Sequence, residues 1–155
     1  MKKLLFIAFI ALMSVPSWAQ TDKDYIELER SVLQTERKAV VADAMMLTDD
    51  EATVFWPLYN EYNEKVYIVK TERVSIILDY AKNYESISDE KANELMLRSL
   101  KVQQNLLKLK MSYYKKFKKI LSPSKSVRYF QVESKIDAMV SAELALQIPL
   151  VETLK

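Results

Sequence analysis

Apolar positions recur at three- and four-residue spacings over most of the chain, the period of helices buried along one side. Between residues 49 and 85, Phe55, Tyr59, Tyr62, Val66, Val69, Ile77, Tyr80 and Tyr84 share one stripe, while Glu61, Glu64, Glu72 and Asp79 gather on another. The Tyr-rich stripe reads as core, since tyrosine supplies apolar area with a polar tip. Further on the arc is wider. Met96, Leu100, Leu107, Met111, Tyr114 and Leu121 centre it, and Leu95, Val102, Leu106, Tyr113, Phe117 and Ile120 broaden it to roughly 200°, about twice the width of an ordinary surface helix. One neighbouring helix does not cover such an arc. The pattern predicts a helix that either sits among several partners or keeps apolar surface for something outside the fold.

Helix boundaries follow from punctuation that recurs three times: Leu47-Thr48-Asp49-Asp50-Glu51, Ile87-Ser88-Asp89-Glu90-Lys91 and Leu121-Ser122-Pro123-Ser124-Lys125. Each reads as a helix start. Thr48 and Glu51 have capping-box spacing, Asp49 and Asp50 suit the positive end of a helix dipole, and Pro123 stands where its missing N–H costs nothing. The expected helices run over about 22 to 45, 49 to 85, 89 to 121 and 123 to 148, and at 1.5 Å per residue the second and third each reach about 50 Å. The expected fold is all-α: an elongated hairpin of two long helices with two further helices folded along it, dimeric so that the remaining apolar surface is covered. Pro57 leaves the Thr53 carbonyl without its helical partner and is expected to bend the second helix, either to adjust packing or to curve the hairpin into a cradle. Lys70 and Arg73, close to the apolar stripe, are expected to snorkel or to pair.

The first residues are of a different kind. Lys2 and Lys3 precede an apolar run from Leu4 to Val15, followed by Ser17, Trp18 and Ala19. This is the pattern of a secretory signal peptide cleaved after Ala19. A run of twelve residues is too short for a bilayer core that needs about 20. Cleavage leaves a single helical domain, residues 20–155, and removes two lysines, so that 21 basic and 21 acidic residues balance. Global charge then gives no argument for a polyanion partner, but its distribution is uneven. Residues 20–67 sum to −6, residues 68–94 to −2, residues 95–132 to +10 with no acid at all, and residues 133–155 to −2. Within the basic stretch, Arg98, Lys101, Asn105, Lys108, Ser112, Lys115, Lys116 and Lys119 share one helical face opposite the apolar arc.

Composition excludes much chemistry. Without Gly there is no phosphate-cradling loop, and without His or Cys there is no ordinary zinc or copper site, thiolate nucleophile or His-based triad. Acidic pairs abound, yet nothing marks an acid-base couple among them. The expectation is a non-enzyme with no cofactor, no metal and no small-molecule substrate. An exported protein is also not expected to meet nucleic acid, although the stripe would suit it.

The leader, the four-helix pattern, and the starts at Leu47-Thr48 and Leu121-Ser122 resemble the Spy/CpxP group of periplasmic proteins, marked by a twice-repeated LTxxQ. Here Glu51 and Lys125 stand at the Gln positions and Ser122 replaces the second Thr. The chain is also similar, over nearly all of its mature length, to uncharacterised exported helical proteins carrying an FWPxYxxY segment and an IPLV-like end. These are Phe55-Trp56-Pro57-Leu58-Tyr59-Asn60-Glu61-Tyr62 and Ile148-Pro149-Leu150-Val151. The second likeness implies no activity. The first implies an ATP-independent holdase or envelope-stress adaptor, a curved helical dimer that offers basic and apolar groups to unfolded or partner proteins. The surface expected to carry this is Arg98, Lys101, Lys108, Lys115, Lys116 and Lys119 with Met111, Tyr114 and Phe117. Other readings remain. The lysines could pair with acids of the first two helices or simply face solvent, or the stripe could dock on anionic lipid, lipopolysaccharide or an acidic protein.

Overall fold

The structure, a computed structural model, describes residues 33–151. The expected leader and the expected start of the first helix near residue 22 lie outside the described residues. The chain divides into two units, Met1–Ala39 and Val40–Lys155; in the first, residues 33–39 are helical. Four helices are described: α1 over residues 33–45, α2 over Asp49–Asn83, α3 over Asp89–Ile120 and α4 over Pro123–Gln147, with a one-turn 3-10 helix at Tyr84–Ser86. No strand occurs among the described residues, so the fold is all-α as expected.

The three helix starts are set by local chemistry. Thr48 and Glu51 form the reciprocal capping box, with the Thr48 N–H donating to Glu51 Oε2 at 2.9 Å and the Glu51 N–H donating to Thr48 Oγ1 at 3.3 Å. Ser88 accepts from the Lys91 N–H at 3.2 Å, and Ser122 from the Lys125 N–H at 3.3 Å with Pro123 in the first turn. α1 ends in a chain that has no glycine to offer, and Met46 takes the left-handed conformation at φ 43°. Pro57, the ninth residue of α2, interrupts no helical assignment there.

α2 and α3 form the antiparallel hairpin. Contacts between them pair early with late residues: Glu61 with Tyr113 and Lys116, Glu72 with Arg98, Asp79 with Lys91. α4 turns back parallel to α2, its Lys125 meeting Glu51, Asp137 meeting Lys70 and Ser141 meeting Arg73. The core lies at the open end of the hairpin, where α1 contributes Val41 and Met45, α2 contributes Phe55, Tyr59, Tyr62 and Val66, α3 contributes Tyr113 and Phe117, and α4 contributes Tyr129 and Phe130. Phe117 is the hub, with ring centroids 4.6 Å from Tyr129, 5.5 Å from Phe55 and 5.7 Å from Phe130. Trp56 packs edge-on against Phe55 and Tyr59 at 5.0 and 5.2 Å. A smaller cluster of Ile76, Leu95 and Val102 holds the hairpin nearer its turn.

Two expectations need correction here. Phe117, expected on the partner surface, is fully buried, because α4 crosses this part of α3 and places Tyr129 and Phe130 against it. Ile76 replaces Ile77 in the core, while Tyr84 belongs to the 3-10 turn and is exposed.

Candidate partner-binding face

α3 is stabilised differently on its two sides. Toward α2 its charges are taken up. Arg98 donates to Glu72 at 2.8 Å, to Asp79 at 2.9 Å and to Glu94 at 3.3 Å, and Lys91 reaches Asp79 at 2.8 Å. The Lys91 ammonium, and after it the Arg98 guanidinium, hold the Asp79 carboxyl below its usual range. Glu61 is lowered first by the Tyr113 hydroxyl, which donates to it at 2.6 Å, and then by Lys116 at 2.9 Å. Burial, followed by the Glu61 contact, drives the Tyr113 phenol well above its ordinary value. Arg98 and Lys116, both expected on the partner surface, are therefore committed to the hairpin.

Lys101, Lys108, Lys115 and Lys119 are not. All four are exposed, and among the described residues none has a carboxylate within ion-pair distance. Lys101 touches only the Gln104 amide at 3.4 Å. On a wheel of 100° per residue they cluster within about 40° of one another, rotated away from the Arg98 and Lys116 contacts with α2, and Lys108 lines a pocket with Lys65, Ile68 and Val69 of α2.

Beside them runs an apolar row that none of the described residues covers. Met96, Leu100, Leu107 and Met111 lie within roughly 60° of one another on that wheel, and their exposures are 58%, 46%, 59% and 57%. Leu97, 58% exposed, joins them toward the lysines. The row survives because α4 leaves α3. α4 packs against α3 around Tyr113 to Phe117, then follows α2, where its contacts are with Lys70, Arg73 and, beyond its end, Tyr80, whose hydroxyl donates to the Pro149 carbonyl at 3.1 Å. Tyr114 marks the transition, half-buried against Phe130 at 5.7 Å.

Of the sequence-derived surface, the structure brings together Lys101, Lys108, Lys115, Lys119, Met111 and Tyr114 and withdraws Phe117. The exposed row of Met96, Leu100 and Leu107 was legible only as part of a wide arc, since periodicity shows which residues are apolar and not which of them a neighbour covers, and Leu97 lay outside that arc. Thr48, Glu51, Ser122 and Pro123 serve as helix starts, and two of these starts meet: the Lys125 ammonium donates to Glu51, an ion pair between α4 and α2. Lys125 is the first cause of a lowered Glu51 carboxyl, ahead of the Thr48 N–H.

Among the described residues no group of three or more His, Cys, Asp or Glu is placed to hold a metal ion, and no helix is long and apolar enough to cross a membrane. No family model matches the chain, nor does any curated protein or solved structure with which it was compared.

Proposed function

We propose that the mature chain is a non-catalytic, ATP-independent chaperone-like or envelope-stress adaptor protein of the periplasm, akin to the Spy/CpxP group, that holds unfolded or partner proteins on the solvent face of α3. The observation that carries this reading is the exposed row of Met96, Leu100, Leu107 and Met111 lying beside four lysines that meet no carboxylate among the described residues. Contiguous apolar surface on a folded domain marks an interaction site, and methionine adapts to varied partners. The lysines accelerate encounter with acidic segments and keep the exposed row soluble between encounters. A homodimer fits this reading if it leaves the row open, and Met139 and Leu146 stand exposed on α4 for such a contact.

The test is aggregation of a reduced or heated client, without ATP, in the presence of substoichiometric to equimolar protein. Aggregation is delayed by the wild type and less so when Lys101, Lys108, Lys115 and Lys119 are all replaced by Glu. No delay across several unrelated clients overturns the reading. The same lysines beside apolar groups also suit an anionic lipid or lipopolysaccharide surface, at about 1 kcal/mol per cation. Salt-sensitive cosedimentation with anionic but not neutral vesicles, without client protection, would replace the chaperone reading by a scaffold docked on the envelope.

A further inference from the structure

Where α4 leaves α3, the two helices open a groove of about 530 Å³. Its floor is aromatic and aliphatic: Tyr114 and Phe130 pack edge to face at 5.7 Å, with Val127 beside them. Its charge is of one sign. Lys110 and Lys135 line it, Lys118 holds its ammonium 5.0 Å over the Tyr114 ring, and no carboxylate is among the lining residues. Lys110 is also pre-positioned. Ser134 Oγ donates to the Phe130 carbonyl at 2.7 Å and accepts from Lys110 Nζ at 2.5 Å, which places the ammonium 6.0 Å over the Phe130 ring. An ammonium has three donors, and this one keeps donors free for an incoming acceptor.

We infer that this groove is an anchor pocket for a protein segment in which a large apolar side chain is flanked by carboxylates, the apolar group seated on Phe130 and Tyr114 and the acids met by Lys110, Lys118 and Lys135. Charge complementarity selects this occupant. A second copy of this groove would set lysines against lysines, and a bilayer, being flat, would meet the rim lysines without filling the concave floor. The groove adjoins the exposed row at Met111, one helical turn from Tyr114, so a segment anchored here continues onto the row. The inference rests on the reading of α3 as a protein-binding face and adds a specificity to it.

The probe is a short fluorescein-labelled peptide with Phe flanked by Glu, read by anisotropy against the full mature chain. Saturable binding is expected, falling at least tenfold when Ala replaces the peptide's Phe or Lys replaces its Glu residues. It is expected to fall as far in V127E/K135E, two exposed positions whose replacement leaves the helical circular dichroism and thermal midpoint near wild type, and in K110E/K135E should the first variant unfold. The wild type and a folded groove variant are also compared for client protection. Peptide binding that is absent, or indifferent to the groove variants, overturns the anchor pocket. If client protection persists in that case, the α3 reading stands alone; if it too is absent, both fail. Peptide displacement by anionic vesicles, or groove-dependent self-association in sedimentation, also overturns the assignment.

Discussion

Phe117 and Leu107 stand ten residues apart within the same apolar arc, and the fold assigns them opposite work. Phe117 is fully buried and touches rings from α2 and α4. Truncating such a side chain to Ala removes its burial and leaves a cavity, at a cost of about 4 kcal/mol. A domain of this size has only about 5 to 15 kcal/mol in total, so F117A should lower the thermal midpoint by about 15 °C. Leu107 is 59% exposed. Only two-fifths of its burial is at stake, which with about 2 kcal/mol for a fully buried Leu limits L107Q to about 1 kcal/mol, and Gln keeps the helix propensity of Leu. Urea unfolding followed by circular dichroism and by fluorescence of Trp56, the only tryptophan after Ala19, reads both. L107Q should keep its stability and lose client protection, whereas F117A below its midpoint should keep protection. If F117A costs no more than L107Q, the division of α3 into a covered and an open part is wrong.

Acid should loosen the hairpin. Glu51, Glu61 and Asp79 all have lowered folded-state values, so each contributes stability that is complete above its unfolded value, 4.5 for Glu and 3.8 for Asp, and is lost as the pH falls through the folded value. Thermal midpoints should be flat near neutrality and fall below about pH 4, and D79N should flatten that fall. A midpoint unchanged down to the lowest pH would contradict the ion-pair assignment. Reversing one member of the Glu51–Lys125 pair, as E51K, should lower the urea midpoint, and the swap E51K/K125E should restore part of the loss, the remainder being the capping box. An additive double variant would show that the pair does not couple α4 to α2. M46G removes a left-handed penalty of about 1 to 2 kcal/mol against about 0.5 to 1 kcal/mol of added unfolded-chain freedom. The urea midpoint should therefore rise slightly; a fall would show that the Met46 side chain contributes more than its 72% exposure implies.

Helix starts were readable to the residue because capping chemistry is local. Thr48, Ser88 and Ser122 each satisfy N–H groups within the next turn, and nothing distant alters that. The α2 core stripe was readable because Phe55, Tyr59, Tyr62 and Val66 are all buried in one cluster, enclosed by α1, α3 and α4 together. Coverage of α3 was not, since it depends on where α4 runs. Phe117 and Leu107 are both large, apolar and within one arc, and only the departure of α4 toward Lys70 and Arg73 separates them. The α3–α4 groove escaped for the same reason: Val127 and Phe130 alternate with polar residues in a stretch that carries no periodic mark of a pocket.

A chain of net charge only +2 need not have a neutral surface, and the register of the hairpin decides the difference. The acids of α2 that meet α3 do so at Glu61, Glu72 and Asp79, and their partners are those cations that project toward α2, Lys91, Arg98 and Lys116. Lys101, Lys108, Lys115 and Lys119 are rotated roughly 60° to 100° past Arg98 on the same helix, and among the described residues none of them lies within ion-pair distance of an α2 acid, although Lys108 lines a pocket with Lys65, Ile68 and Val69. Of the remaining acids of α2, Asp49 and Asp50 sit at its N-terminus, where the helix dipole favours them, Glu51 is paired with Lys125, and Glu64 lies within ion-pair distance of none of these four lysines. Four charges of one sign thus persist on one side of α3 beside the apolar row, at successive rises of about 6 to 10 Å, comparable to the Debye length, so that their fields add most strongly at low salt. Association with an acidic segment should therefore slow as salt rises while dissociation, governed by Met96, Leu100, Leu107 and Met111, changes little.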